Sequence, residues 1–240
     1  MQILGWLLGI IIALTSIDYA FALQSPMKSS LQSDLISPQV DCPMLPEPFR
    51  SNREFDKLFR QAVQKHWRGP LYRDKWCWLK AQCAAESSLK PRATSPVGAK
   101  GICQFMKPTL EEVSKQLGRN LSPYDARDGI EAGAVYMQNL RKQVTSPRPS
   151  IEEKEKVAIA GFNAGLGSVW CAQRKGKGVI LWKDISRFLH ECTGRHAKET
   201  IGYVAKISRF NGFPIDPIPK KEEKVPLPAL KPRPIEVAQC

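Results

Sequence analysis

Between residues 51 and 210 apolar side chains recur three and four positions apart, and no stretch of any length alternates apolar with polar. This spacing predicts a mainly α core and leaves no pattern from which to build a sheet. Ser51-x-x-Glu54 reads as a capping box opening a helix with Phe55, Leu58, Phe59, Ala62, Val63 and Trp67 on one stripe. A second helix is predicted over residues 74–86, burying Trp76, Leu79 and Cys83, with no continuation past Pro91. Thr109-x-x-Glu112 opens another that Gly118 stops. Residues 125–144 carry Ile130, Ala134, Met137 and Val144 at helical spacing, Ser150-x-x-Glu153 opens a capped helix through Val157 to Ile159, and residues 184–192 and 197–210 complete the set. Between the second and third helices, residues 91–108 hold three prolines and two glycines and read as a structured loop.

The ends differ from this middle. Residues 3–14 form an apolar run followed by Ala20-Phe21-Ala22, so residues 1–22 read as a secretory signal peptide cut after Ala22. The run is short of the roughly 20 residues a membrane span needs. Its flank lacks Lys and Arg, which leaves an uncleaved anchor as the alternative. Residues 23–49 are polar and proline-spotted, a linker; residues 50–213 are the globular domain. Residues 214–240 hold seven prolines in 27 positions, an extended tail that is either solvated or a docking segment.

Export bears on the seven cysteines, Cys42, Cys77, Cys83, Cys103, Cys171, Cys192 and Cys240: in an oxidising compartment they form disulfides. Cys77 and Cys83, six apart on one helix, point about 240° apart and cannot pair. Cys171 with Cys192 is the favoured pair, closing a Gly/Lys-rich loop, and the odd count leaves Cys240 the easiest to be unpaired. No C-x-x-C or H-E-x-x-H occurs, so neither a metal nor a cofactor is expected. The net charge is +13, and residues 43–213 hold 30 Lys/Arg against 16 Asp/Glu, so the domain itself is basic. An anionic wall polymer or acidic membrane surface suits an exported chain as partner; no nucleic-acid recognition signature is present and nucleic acid is not expected.

Glu86 closes the run WCWLKAQCAAE, which sets its carboxyl against apolar surface and raises its pKa toward the range of a general acid. The loop after it offers Gln104, and Gly161-Phe162-Asn163-Ala164-Gly165 reads either as a second functional loop or as a helix end capped by Asn and Gly.

At these residues the chain resembles the lytic transglycosylases of the soluble (SLT) type, within the lysozyme-like superfamily, over about residues 70–210. Four motifs stand in the family's order. They are Glu86-Ser87; the loop Ser95-Pro96-Val97-Gly98-Ala99-Lys100-Gly101-Ile102-Cys103-Gln104-Phe105-Met106-Lys107-Pro108-Thr109, similar to S-x-x-G-A-x-G-L-M-Q-x-M-P-x-T; Ala160 to Gly165, similar to A-x-Y-N-A-G; and Glu199-Thr200-x-x-Tyr203-Val204, similar to E-T-x-x-Y-V. The resemblance implies a goose-type lysozyme-like helical domain with a motif-bearing loop at the cleft. It implies cleavage of the β-1,4 bond between N-acetylmuramic acid and N-acetylglucosamine in peptidoglycan, with a 1,6-anhydromuramoyl product. Glu86 would be the single catalytic acid/base, and no Asp or Glu lies between it and Glu111.

The resemblance further implies that Ser95, Gln104 and Met106 line the sugar cleft, that Phe162, Asn163 and Tyr203 stand near the carboxyl, and that Glu199 braces that wall. Met106 could instead be core packing. Two departures stand out: Cys103 replaces the family's Met, tying the loop by a disulfide, and Phe162 replaces its Tyr, removing a phenol. A goose-type muramidase using water and a wall-binding assembly protein with little activity are the alternatives. The tail and export signal together suggest a monomeric enzyme, periplasmic or in the cell envelope, opening the wall locally for a secretion or conjugation apparatus.

Overall fold

Helices form where the apolar stripes fall, and breakers separate them. In the computed structural model, which describes residues 42–145, 147–148 and 150–216, eight α-helices are present. In order they are α1 Asp56–His66, α2 Trp76–Ser87, α3 Lys107–Leu117, α4 Ala126–Gln143, α5 Ile151–Ala164, α6 Leu166–Lys175, α7 Trp182–Thr193 and, after a 3₁₀ turn at Gly194–His196, α8 Ala197–Asn211. Among the described residues the extended backbone is limited to two isolated bridges, Thr94 with Lys100 and Lys100 with Phe105. The signal peptide expected at residues 1–22, most of the expected linker, the tail beyond Asp216 and Cys240 lie outside the described residues. No helix among the described residues is long and apolar enough to cross a membrane.

One predicted cap forms and two do not. Ser150 accepts from the backbone N–H of Glu153 and starts α5 as expected, while Asp125, where the α4 pattern begins, accepts from Asp128 N–H. Ser51 is spent in a turn, its Oγ donating to the Pro48 carbonyl at 3.1 Å, and α1 begins only at Asp56. At α3 the pre-set φ of Pro108 in the first turn starts the helix at Lys107, so Thr109 is already helical and caps nothing. Gly118 stops α3 in the left-handed region at φ +66°, as expected. The run Gly161–Gly165 is the last turn of α5 and its cap, not a loop, and α6 follows at once without having been predicted.

The α2 helix is the centre of the arrangement, packed against α1, α4 and α8. Trp76, Trp78, Leu79, Ala81, Cys83 and Ala84 are all buried, so it is enclosed on nearly every side rather than on one stripe. Two charges go down with it and its neighbours. Lys80 donates to Asp56 at 2.7 Å, joining α1 to α2, and Arg141 of α4 grips Glu155 of α5 through two bonds of 2.6 and 2.7 Å. The Arg141 guanidinium also lies over the Trp67 ring at 3.6 Å. Removing one partner from such a pair strands a buried charge, at a cost of about 3–5 kcal/mol.

Three disulfides hold the elements. Cys171–Cys192 staples α6 to α7, with Cα atoms 6.0 Å apart, the pair favoured from sequence. Cys83–Cys103 ties α2 to the loop, as expected of Cys103, and Cys42–Cys77 brings the segment before α1 onto the start of α2. Cys42 and Leu45 are buried, so this segment packs against the domain at those two side chains. At the other end Asp216 accepts from buried Lys156 at 2.7 Å, so the first residues assigned to the tail are also held.

Candidate active site

Glu86 occupies the penultimate position of α2, where the helix stops because Ser88 and Leu89 turn left-handed, at φ 57° and 61°. Its neighbour Ser87 donates to the Ile102 carbonyl at 2.6 Å, and Cys83, a turn earlier, is bonded to Cys103. The motif loop is therefore anchored to α2 at two adjacent points beside the carboxyl.

The loop is rigid by its own bonds. Lys100 and Phe105 exchange backbone hydrogen bonds of 3.0 and 2.9 Å, Gly101 N–H donates to the Ala93 carbonyl at 2.8 Å, and Ser95 Oγ accepts from Ala99 N–H at 3.0 Å. Gln104 sits left-handed at φ 51°, and its Nε2 donates back into the loop, to Gly101 O at 2.8 Å and Ala93 O at 3.3 Å. Gly101 cannot be replaced within this geometry: its φ is +83°, and a Cβ would stand 1.8 Å from the Pro123 carbonyl oxygen. Met106, just beyond, is 44% exposed, which excludes core packing as its role.

Helix α8 closes the other side. Tyr203 donates its hydroxyl proton to Glu86 Oε1, and Lys206 Nζ donates to the Ala85 carbonyl at 3.1 Å. Asn163, at the end of α5, accepts from Thr200 Oγ1 at 2.6 Å, so it is tied to α8 one turn from Tyr203 rather than to the carboxyl itself. Phe162 lies half-buried in an aromatic cluster, 5.8 Å from Phe105 and 5.4 Å from Tyr136 between ring centroids. Glu199 is exposed and faces His196 at 3.6 Å; it acts on Glu86 through its charge and shares no bond with Asn163 or Tyr203. Ser95, Gln104 and Met106 thus belong to the loop anchored beside Glu86, Tyr203 bonds Glu86 from α8, and Asn163 is tied to that same helix. Sequence reasoning missed Gln82, Lys206 and Tyr136, and quoted Thr200 in the fourth motif without giving it a role; Gln82, a polar residue in the apolar run four positions before Glu86, also carried a visible signal.

Burial pushes the Glu86 carboxyl up to about 7. The Tyr203 hydrogen bond and the Lys206 charge pull against that rise, and the Glu199 charge adds to it. Burial and the adjacent carboxylate raise the Tyr203 phenol well above its ordinary range, so it stays protonated and donates to Glu86. A hollow of about 690 Å³ opens elsewhere, lined by Lys100, Phe105, Lys107, Leu110, Arg119 and Pro123 among others; it includes none of Glu86, Asn163 and Tyr203 and is not the carboxyl's pocket. Among the described residues no group of His, Cys, Asp and Glu is arranged to hold a metal.

In this helical domain one carboxyl, raised toward neutrality, lies between a self-bonded loop and a phenol-bearing helix, an arrangement in which it can exchange a proton near pH 7. The family model of the transglycosylase SLT domain matches residues 71–185, a little under half of the chain. The match takes in Glu86, the motif loop and Asn163; Tyr203 lies beyond it and is brought to the site by the packing of α8. The chain is similar to membrane-bound lytic murein transglycosylase F of Pasteurella multocida (strain Pm70), 34% identical over 120 residues, covering 48% of this chain and 23% of the relative. It is also similar to the transglycosylase F of Yersinia enterocolitica serotype O:8, 26% identical over 181 residues, covering 69% and 35%. It therefore spans about a quarter to a third of these relatives' length. The 70 kDa soluble lytic transglycosylase SLT70 from Escherichia coli superposes with a TM-score of 0.48 at 22% identity, covering 65% of this chain and 23% of that one.

Proposed function

We propose that the chain is a peptidoglycan lytic transglycosylase that cleaves the bond between N-acetylmuramic acid and N-acetylglucosamine and closes a 1,6-anhydromuramoyl end. The observation carrying this reading is Glu86 itself, a carboxyl raised to about 7 whose one side-chain hydrogen bond among the described residues is to Tyr203. Glycosidases that use water or a carboxylate nucleophile need a second carboxyl across the bond. Here one group serves both steps. Protonated Glu86 gives its proton to the glycosidic oxygen as the C1–O bond breaks, and the resulting carboxylate takes the proton of the muramoyl C6 hydroxyl as that oxygen bonds to C1. The nucleophile is tethered to the reacting sugar, and such attack reaches effective molarities of about 10⁵ M or more.

The loop wall would hold the glycan through Ser95, Gln104 and Met106. Asn163 would border the reacting sugar from the opposite wall, with Phe162 packed behind it. Glu199 would tune the site through its charge. The basic domain suits an anionic wall, and export to the periplasm or cell envelope agrees with the relatives' names. Mass spectrometry of sacculi digested by the purified chain tests the reaction: products lacking one water and bearing anhydro ends are expected, and reducing ends would assign a muramidase instead. A role in opening the wall for a secretion or conjugation apparatus, through residues 214–240, would show as co-purification lost on deleting that segment.

A further inference from the structure

Gln82 lies one helical turn before Glu86, so the two side chains leave α2 on the same side. It is 2% exposed, and a buried primary amide has two N–H donors to place. Its Nε2 makes no hydrogen bond of normal length, and the group its amide faces is the Tyr203 hydroxyl. That hydroxyl has committed its proton to Glu86 Oε1, which leaves its oxygen lone pairs free to accept. A stranded donor and an open acceptor thus face each other inside the wall of the site.

We propose that Gln82 is a positioning residue for the acid/base: its amide N–H donates to the Tyr203 oxygen and fixes the direction of the Tyr203–Glu86 hydrogen bond. The inference rests on the reading of Glu86 as the acid/base. The direction of that bond matters because a protonated carboxyl could otherwise turn its own proton onto the phenol oxygen. With Gln82 filling that oxygen, Oε1 remains an acceptor and the Glu86 proton is held on Oε2, free for the substrate. Hydrogen bonds in a chain polarise one another, so a phenol that accepts from an amide is a stronger donor to the carboxylate. The same contact opposes the rise that burial and Glu86 impose on the phenol. A leucine or methionine would fill the space as well as glutamine does, so packing alone gives no reason for an amide at this position.

The experiment uses the purified full-length chain with Gln82→Met and Gln82→Leu, two apolar variants of similar volume that guard against a folding failure in either. Carboxyl ¹³C NMR follows the Glu86 titration without substrate, so it decides the matter whatever the enzyme's product. Loss of the amide weakens the phenol's bond to the carboxylate, and the Glu86 midpoint should move up by about 0.5 pH unit or more. On sacculi, kcat should fall by about tenfold with KM within about twofold. In a Tyr203→Phe background the Gln82 substitutions should have no further effect on either measurement. An unmoved Glu86 titration, or an equal loss in the Tyr203→Phe background, overturns the proposal. Reducing-end products, by contrast, would overturn the transglycosylase reading while the titration still decides the role of Gln82.

Discussion

Two glutamates of this domain begin with the same ordinary acidity and end far apart. Burial raises both. At Glu86 one neutral phenol and one more distant lysine oppose it, and the carboxyl stays near 7. At Glu131 on α4, Lys65 at 2.7 Å, His66 at 2.8 Å and Arg119 all donate to the carboxylate, and together they overrule burial and hold it at about 2. The difference teaches that the identity of the donors, and not depth alone, decides what a half-buried carboxyl can do. Two cations and an imidazole around it make Glu131 an anion tying α1 and the α3–α4 connection to α4. A neutral donor leaves Glu86 able to change charge during a reaction.

The largest effect should come from removing the changeable member. Glu86→Gln should abolish sacculus cleavage by about 10³-fold or more, read as release of soluble muropeptides. The sign for stability is the reverse. Glu86 carries a raised folded value, so the native state loses stability as pH rises from near 4.5 through about 7. Thermal unfolding at pH 8 should therefore show Glu86→Gln at or above the parent Tm, and a large destabilisation would mean that burial is not what raises the carboxyl.

Next is the loop that lies between the two sites. Gly101→Ala drives a Cβ into the Pro123 carbonyl, a few residues before α4, and strains a positive φ. It should destabilise the domain by about 2–4 kcal/mol in chemical denaturation, and activity should be reduced even where the fold survives. An unaffected enzyme would show that the loop's placement beside Glu86 is not needed.

Tyr203→Phe sharpens the contrast, because it takes from Glu86 its one donor. The Glu86 value should rise further, moving the alkaline limb of the kcat/KM profile above about 7, with kcat down by roughly 10–100-fold. A limb that moves down would reverse the assigned direction of the hydrogen bond. The smallest effect is expected at Glu131. Its folded value is depressed, so its contribution is complete above the ordinary 4.5 and is lost as pH falls toward about 2. Glu131→Gln should lower the unfolding free energy at pH 7 and flatten its fall between pH 4.5 and 2, leaving the activity limb near 7 in place.

Much of the fold was legible because helix signals are local. The stripes of α1, α4, α7 and α8, the Ser150 cap and the Gly118 stop were read from residues within four positions of one another. The failures were competitions that a local pattern does not register. Ser51 found a turn partner in Pro48, Pro108 outranked Thr109, and α6 has too short a run to stand out before Gly165 separates it from α5. In the site, Glu86, the loop and Tyr203 were found through motif order. Lys206 and the bond of Thr200 to Asn163 were not, because the partners lie 121 and 37 positions away.

The sequence by itself determined a helical chain, the loop and the carboxyl at the end of an apolar helix, and favoured the Cys171–Cys192 pair, since each depends on spacing along one segment. Only the tertiary structure decided that Tyr203 would meet Glu86, that Glu199 would point outward, and that Gln82 would be left with an unspent amide inside the wall. The reason is physical: a pKa and a hydrogen-bond direction are set by everything packed around a group, and α2, α5 and α8 converge on Glu86 only when the chain has folded.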